Sequence, residues 1–225
     1  MRIIFIDESI NANTFIGGIY LNLEDINLII DCIDSSWKEI GKEWKFHYII
    51  DKKYNVNGKP ISEIFLKNII KYIPTRNTIV VMHKGNVLIK CNDLYPIVVF
   101  NLYSFPIFLS RSDFALIDPN PQVKLTDPII KRINYPKIFH NEDELINKLD
   151  KNTKSSIIKI IRENIRKAQS KRVSTILNRE LQLKPDIAIK TILKWSLMIA
   201  DYVVSSSDSK DSTWNIVDPY GCQLK

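Results

Sequence analysis

"RIIFIDESINANTFIGGIYLNL" (residues 2–23) holds two apolar runs on either side of Asn11-Ala12-Asn13. In residues 2–8 both alternating faces are apolar, the pattern of a strand buried on both sides. Asn-Ala-Asn marks a turn, and TFIGGIYLNL reads as a second strand, the hairpin partner of the first. Gly17-Gly18 inside it signals a bulge or the close approach of another backbone. The first strand carries two adjacent acids, Asp7 and Glu8. Successive strand residues point to opposite faces, so both can enter one site only if the strand bends there. Asp7 shares its face with Ile3 and Phe5.

Downstream, Asn22 and Asp25 form a capping-box-like start for a helix with apolar residues at Ile26, Ile29, Ile30, Ile33, Trp37 and Ile40, and Gly41 is its natural stop. KEWKFHYIIDKK reads as a strand or irregular segment ending in a turn. Ser62 can cap a helix that Pro74 terminates. NTIVVMHKGNVLIKC reads as strand, turn and strand, and LYPIVVFNLYSFPIFLS as an apolar helix interrupted near Pro106. FALID is a short buried strand closed by Asp118-Pro119, followed by proline-punctuated loop with a short strand near KIF. Asn141 caps an acidic first turn that opens a long basic helix to about Ala168. KRVSTILNRELQL reads as a last strand, and a closing helix runs from about Pro185 to Val204.

The chain has 225 residues, 45% of them hydrophobic, enough for one packed core. Its formal charge of +7 favours polyanion partners. Cys32, Cys91 and Cys222 form no Cys-x-x-Cys pair, and His47, His83 and His140 are scattered, so disulfide and zinc frameworks are not expected. No run approaches a membrane span, and the N-terminal apolar run is too short for a signal peptide, so a cytoplasmic protein is expected. Glycine-rich phosphate loops, nucleophile elbows and His-Glu-x-x-His motifs are missing, which weakens NTPase, serine hydrolase and zincin readings.

Three acids carry the functional question. Asp7 and Asp118 each end an apolar strand, where a turn-opening role explains them as well as chemistry does. Asp201 sits inside WSLMIADYVV, near a helix C-terminus, where burial and the helix dipole both disfavour an anion. An ion pair with Lys194, seven residues earlier on roughly the same stripe, would offset that cost. So would a cation shared among carboxylates. Hard cations such as Mg²⁺ take carboxylate oxygens, water and phosphate, and such ions serve phosphodiester cleavage.

IFIDES followed by FIGGIYL, then WKFHYIIDKK after the first helix and LMIADYVV near the end, resemble an uncharacterised ribonuclease-H-like family. Its members open with an Ile-Asp-Glu-Ser-Gly type strand, place a Phe-His segment after the first helix and close with a Gln-Leu-Ala-Asp-Leu type helix. The resemblance implies an α/β fold: a ribonuclease-H-like mixed sheet with flanking helices and an acidic metal site for Mg²⁺ or Mn²⁺. Asp7 and Glu8 match the opening acids, Asp118 the mid-chain strand acid, Asp201 the closing-helix acid and His47 the histidine. Ile10 and Met198 depart from the family's glycine and glutamine. Residues 1–204 then form one domain, with about 119–172 an elaboration carrying the long basic helix, and 205–225 a C-terminal tail.

On that helix Lys159, Arg162 and Arg166 share a face opposite Ile157, Ile158, Ile161 and Ile165, as phosphate-contacting side chains or a solvated face would. Lys194 is a further candidate for nucleic-acid contact or proton work. The expected function is a metal-dependent nuclease with catalytic Asp7, Glu8, Asp118, Asp201 and His47, of which Asp7, Asp118 and Asp201 hold the metal. A non-catalytic nucleic-acid-binding or interaction protein on the same fold, in defence or mobile-element biology, is the alternative. A small-phosphoester hydrolase is a third class. The sequence leaves the oligomeric state open.

Overall fold

The computed structural model describes residues 1–10, 14–83, 114–117, 137–207 and 216–217. The strands are β1 (Arg2–Ile10), β2 (Thr14–Asn22), β3 (Asn55–Val56), β4 (Lys59–Pro60), β5 (Thr78–His83), β6 (Phe114–Ile117), β7 (Lys137–Phe139) and β8 (Ile216–Val217). The helices are α1 (Ile26–Ile40), α2 (Tyr48–Asp51), α3 (Ile61–Tyr72), α4 (Glu142–Lys148), α5 (Lys151–Lys167), α6 (Lys171–Leu183) and α7 (Pro185–Ser206). The chain is mixed α/β and mostly helical, and no described helix is long and apolar enough to cross a membrane.

One mixed sheet runs in the order β7-β6-β1-β2-β5-β8. β1 and β2 pair antiparallel in an unbroken register from Arg2↔Asn22 to Ile10↔Thr14. β5 adds antiparallel to β2, while β6 pairs parallel with β1 and β7 parallel with β6. Ile216 and Val217 join β5 in parallel, so part of the C-terminal tail docks on the sheet. β1 is buried on both faces: Ile3 and Phe5 belong to the main core, and Ile4 and Ile6, on the other side, are just as buried.

α7 lies directly across β1 and β2, and α1, α4, α5 and α6 pack against it. Its seat on the sheet depends on Gly18. A Cβ there would stand 2.1 Å from the Phe5 carbonyl oxygen and 2.9 Å from the Ala200 Cβ, and φ is +152°. The close approach expected at Gly17-Gly18 is therefore that of the neighbouring strand's Phe5 carbonyl, with the Ala200 Cβ of α7 next to it.

Local signals explain most boundaries. Asn22 and Asp25 form a capping box, with the Asn22 N–H donating to Asp25 Oδ2 at 3.0 Å. Gly41, at φ +79°, ends α1. Each core-facing isoleucine of α1 contributes roughly 1.5–3 kcal/mol by leaving water. Asn141 caps α4 by accepting from Asp143 N.

Several expectations are corrected. The long basic helix is two helices, because Asp150 caps a new start by accepting from Thr153 N at 2.8 Å. KRVSTILNRELQL is helix α6, capped by Ser170, with Val173 and Leu177 buried at helical spacing. Pre-proline Lys184 is extended, which separates α6 from α7, where Pro185 takes the first turn. Ser62 does not cap α3 but lies inside it, buried. Residues 48–51 form the short helix α2 rather than a strand. The apolar segment 94–110, the turn after His83 and residues 208–213 lie outside the described residues.

Gly18→Ala should destabilise the fold by about 2–4 kcal/mol, the sum of backbone strain and overpacking. Urea denaturation checks this, and Gly41→Ala, whose Cβ meets nothing within 4 Å, should lose less.

Candidate functional site

A cleft of about 1070 Å³ opens where the end of β1, the segment before α2, α6 and the C-terminal half of α7 meet. Asp7 and Asp201, distant in sequence, both line it, as do His47 and Lys194. Asp7 sits two residues beyond Phe5 on the core face, where Ala200 crosses the strand pair, so the next α7 residue, Asp201, faces the same opening.

The wall formed by residues 44–51 is fixed by Asp51, which is wholly buried. Its Oδ1 accepts Trp44 Nε1–H at 2.5 Å, and its Oδ2 accepts the His47 backbone N–H at 3.0 Å and the hydroxyl of Tyr202. Burial, then the hydrogen bond to Asp51, push the Tyr202 phenol far above its ordinary range, so it stays a donor. Phe46, Phe65 and Tyr48 pack around the Tyr202 ring, with centroids 5.4–5.6 Å from it. The His47 backbone is thereby held while its side chain remains exposed.

Burial raises the Asp201 pKa above 3.8. The Ser205 hydroxyl, donating at 2.8 Å, the nearby His47 and a hydrogen bond from the Tyr48 backbone pull it down, and Asp51 pushes it up. Lys194 is exposed and acts on Glu180 of α6, not on Asp201, so the suggested ion pair between Lys194 and Asp201 does not form.

β1 continues in register through Asp7↔Gly17 and Glu8↔Ile16, without the bend that would send both acids into one site. The Glu8 side chain lies outside the described residues. So does Asp118, the residue after Ile117, which pairs with Ile6. Lys159, Arg162 and Arg166 do share an exposed face of α5. They border a separate depression of about 420 Å³ with Ser155, Glu163 and Pro185, and no α5 residue lines the main cleft.

Four further acids line the cleft, Glu43, Asp51, Glu142 and Glu180, and the sequence reading placed none of them there. Asp51 precedes Lys52-Lys53 and looks like a turn residue; its signal was the run of Trp44, His47 and Asp51, which one short turn can close on itself. Glu180 was placed on a strand. Its carboxyl is raised by burial, lowered by the Thr191 hydroxyl and Arg179, raised by Glu43 and lowered by Lys194.

Among the described residues no group of three His, Cys, Asp or Glu is arranged to hold a metal ion. Asp7 and Asp201 supply carboxylate oxygens, the donors Mg²⁺ takes alongside water and phosphate, and Glu43, Asp51, Glu142 and Glu180 line the same cleft. Asp201 is largely withdrawn from solvent without an ion-paired cation, so a divalent ion fits the charge at this end of the cleft. No known protein family matches the chain, and no curated protein or solved structure matches it either.

Tyr202→Phe should cost about 1.5–3 kcal/mol, as loss of a hydrogen bond to a buried charged group does, and should speed amide exchange over residues 44–51. For Asp201, an unfolded carboxyl titrates near 3.8 and the folded one higher. The folded state therefore binds the proton more tightly. Charging Asp201 costs stability, a cost absent below the unfolded pKa and complete once pH exceeds the folded one. Asp201→Asn should match wild type in urea melts near about pH 3.5 and exceed it at neutral pH.

Proposed function

We propose that the chain is a metal-dependent nuclease on a ribonuclease-H-like mixed sheet, hydrolysing phosphodiester bonds of nucleic acid with Mg²⁺ or Mn²⁺ near Asp7 and Asp201. The observation that carries the reading is that Asp7, Asp201 and His47, from a central strand, the closing helix and the segment between α1 and α2, line one cleft. Three antiparallel strands extended by two parallel ones, with α7 laid across the first hairpin, support the fold assignment. Asp118 stays in the proposed ligand set on the family resemblance, whereas Glu8 leaves it, because β1 runs without a bend past Asp7.

The ion, when bound, supplies an activated water and shields phosphate charge. Asp7 and Asp201, one on β1 and one on α7, are the residues that would hold it. The exposed imidazole of His47 carries a proton to or from the water or the leaving oxygen. Arg179 and Lys194, both exposed on the cleft wall, hold the phosphate backbone. The basic face of α5 is a second, more distant contact for the polymer.

One observation favours the non-catalytic alternative. Asp201 already accepts hydrogen bonds from Ser205 and the Tyr48 backbone, a role that fastens α2 to α7 without chemistry. A cleavage assay separates the two readings. With labelled DNA and RNA in Mg²⁺ or Mn²⁺, cleavage should be abolished by chelator and reduced at least about 100-fold by Asp7→Asn and by Asp201→Asn, the upper end of what disturbing a metal's ligand shell costs. Cleavage indifferent to both substitutions, or salt-sensitive binding without cleavage in either metal, rejects the nuclease.

A further inference from the structure

The cleft that carries the proposed chemistry is poorly charged for gripping a polyanion. Six carboxylates line it against Lys45, Arg179 and Lys194. Before any ion is bound, a phosphate backbone meets more repulsion than attraction there. The chain as a whole carries +7, so its excess positive charge lies elsewhere.

Much of it gathers on α5, which has six Lys and Arg residues and one acid, Glu163. Lys154 is taken by Asp186 at 3.1 Å. The side chains of Lys159, Arg162 and Arg166 are exposed, border the depression of about 420 Å³, and form no ion pair or hydrogen bond with a described residue. Glu163 stands four residues after Lys159 and three before Arg166, spacings at which helical ion pairs form, yet it closes on neither. Arg162 and Arg166, four apart, carry like charge at a spacing that weakens a helix. Folding alone would favour an acid at one of them.

The chemistry of this face is narrow. No aromatic side chain lines the depression, so it offers no platform for an unstacked base. No large apolar residue of α5 is exposed, so it offers nothing to enter a bilayer. What remains is a row of cations. From Lys159 to Arg166 the helix rises about 10 Å. A DNA strand sets one phosphate about every 3.4 Å along the duplex axis, so the row faces roughly three of them. A duplex carries twice the charge of one strand over that length and releases more counterion per contact.

We propose that the polymer partner of this chain is double-stranded nucleic acid, and that the α5 face, rather than the cleft, supplies the affinity. Lys159, Arg162 and Arg166 hold successive phosphates, which positions the duplex without reading its bases. Capture needs no metal. This deepens the proposed function by naming a duplex as the substrate class, and it rests on that reading only for what the captured polymer is used for.

Fluorescence anisotropy on the full chain, in chelator, tests it with two labelled DNA duplexes of unrelated sequence and a single strand of equal length. Both duplexes should bind alike and more tightly than the strand. Three phosphate contacts set the slope of log K against log salt near about −2.7, or roughly 40-fold weaker binding from about 50 to about 200 mM KCl. Each of Lys159→Gln, Arg162→Gln and Arg166→Gln should flatten that slope by about 0.9, and the triple variant should lose it. Glu163→Gln should tighten binding, a gain that misfolding cannot mimic. Lys67→Gln, Lys71→Gln and Arg76→Gln combined, which remove the same charge from exposed positions on and beside α3, should keep most of the slope. A strand bound as tightly as the duplexes, a slope that survives the triple variant or falls equally with the α3 set, a Glu163→Gln protein that binds no better, phosphatidylserine vesicles that displace the duplex, or no duplex binding at all would each overturn the proposal. A cleavage assay on the same proteins keeps the two ideas apart. Wild type that binds as described and cuts nothing in Mg²⁺ or Mn²⁺ sinks the nuclease alone; wild type that cuts while its binding ignores the triple substitution sinks the α5 anchor alone.

Discussion

The cleft depends on one buried carboxylate. Asp51 gathers the Trp44 indole N–H, the His47 backbone N–H and the Tyr202 hydroxyl, and so ties an otherwise irregular segment to α7. An unpaired carboxylate at that depth would cost several kcal/mol, and three donors convert the cost into a fixed geometry. Because Tyr202 follows Asp201, the same tie sets the register of the closing helix against the segment carrying His47. One interaction therefore positions both the histidine and the acid across from it.

The second constraint is steric. A Cβ at position 18 would meet the Phe5 carbonyl of β1 first and the Ala200 Cβ of α7 next, so no larger residue fits there without displacing both strand and helix. The glycine lets α7 approach a strand pair at backbone range, and this brings Asp201 within the opening that Asp7 faces. The two constraints act on neighbouring residues of one helix: Ala200 fixes its distance from the sheet, and Tyr202 fixes its rotation. Asp201 lies between them with little freedom to turn away.

Much of the architecture was legible because it rests on local pattern. The buried hairpin, the capping box, the Gly41 stop and the closing helix each have their cause within a few residues of where they occur. The errors share a different cause. Residues 171–183 contain Val173, Ser174, Thr175 and Ile176, a run that reads as strand, but Ser170 caps a helix and Val173 with Leu177 bury against the neighbouring helices. Ser170 is itself held by Asp34, which accepts the Gln169 and Ser170 backbone N–H groups from more than a hundred residues away. No window of sequence contains that contact. Asp150 could be read as interior to a helix or as a new cap, and only packing decided it. At the site, Asp7 and Asp201 were legible because acids in apolar runs demand an explanation. Asp51 and Glu180 were not, since each sits among charged neighbours that make an acid look ordinary.

The cleft also departs from what folding alone would favour. Asp201 and Glu180 are both held above their ordinary pKa by burial, on adjoining walls of one opening. Stability would be better served by neutral residues there, because each charge is taken from water without an ion-paired partner. Asp31 on α1 is likewise raised by burial and by its neighbour Asp34, whereas Asp34 is satisfied by two backbone donors and Asp51 by three donors. Asp201 lines the cleft, where an incoming cation can reach it, while the Glu180 Oε2 atom is closed off from solvent and has no hydrogen-bond partner among the described residues. Asp51, which builds the cleft wall, is completed by three donors, while Asp201 keeps a pKa raised by burial beside the same opening, the condition expected of an acid that acts there.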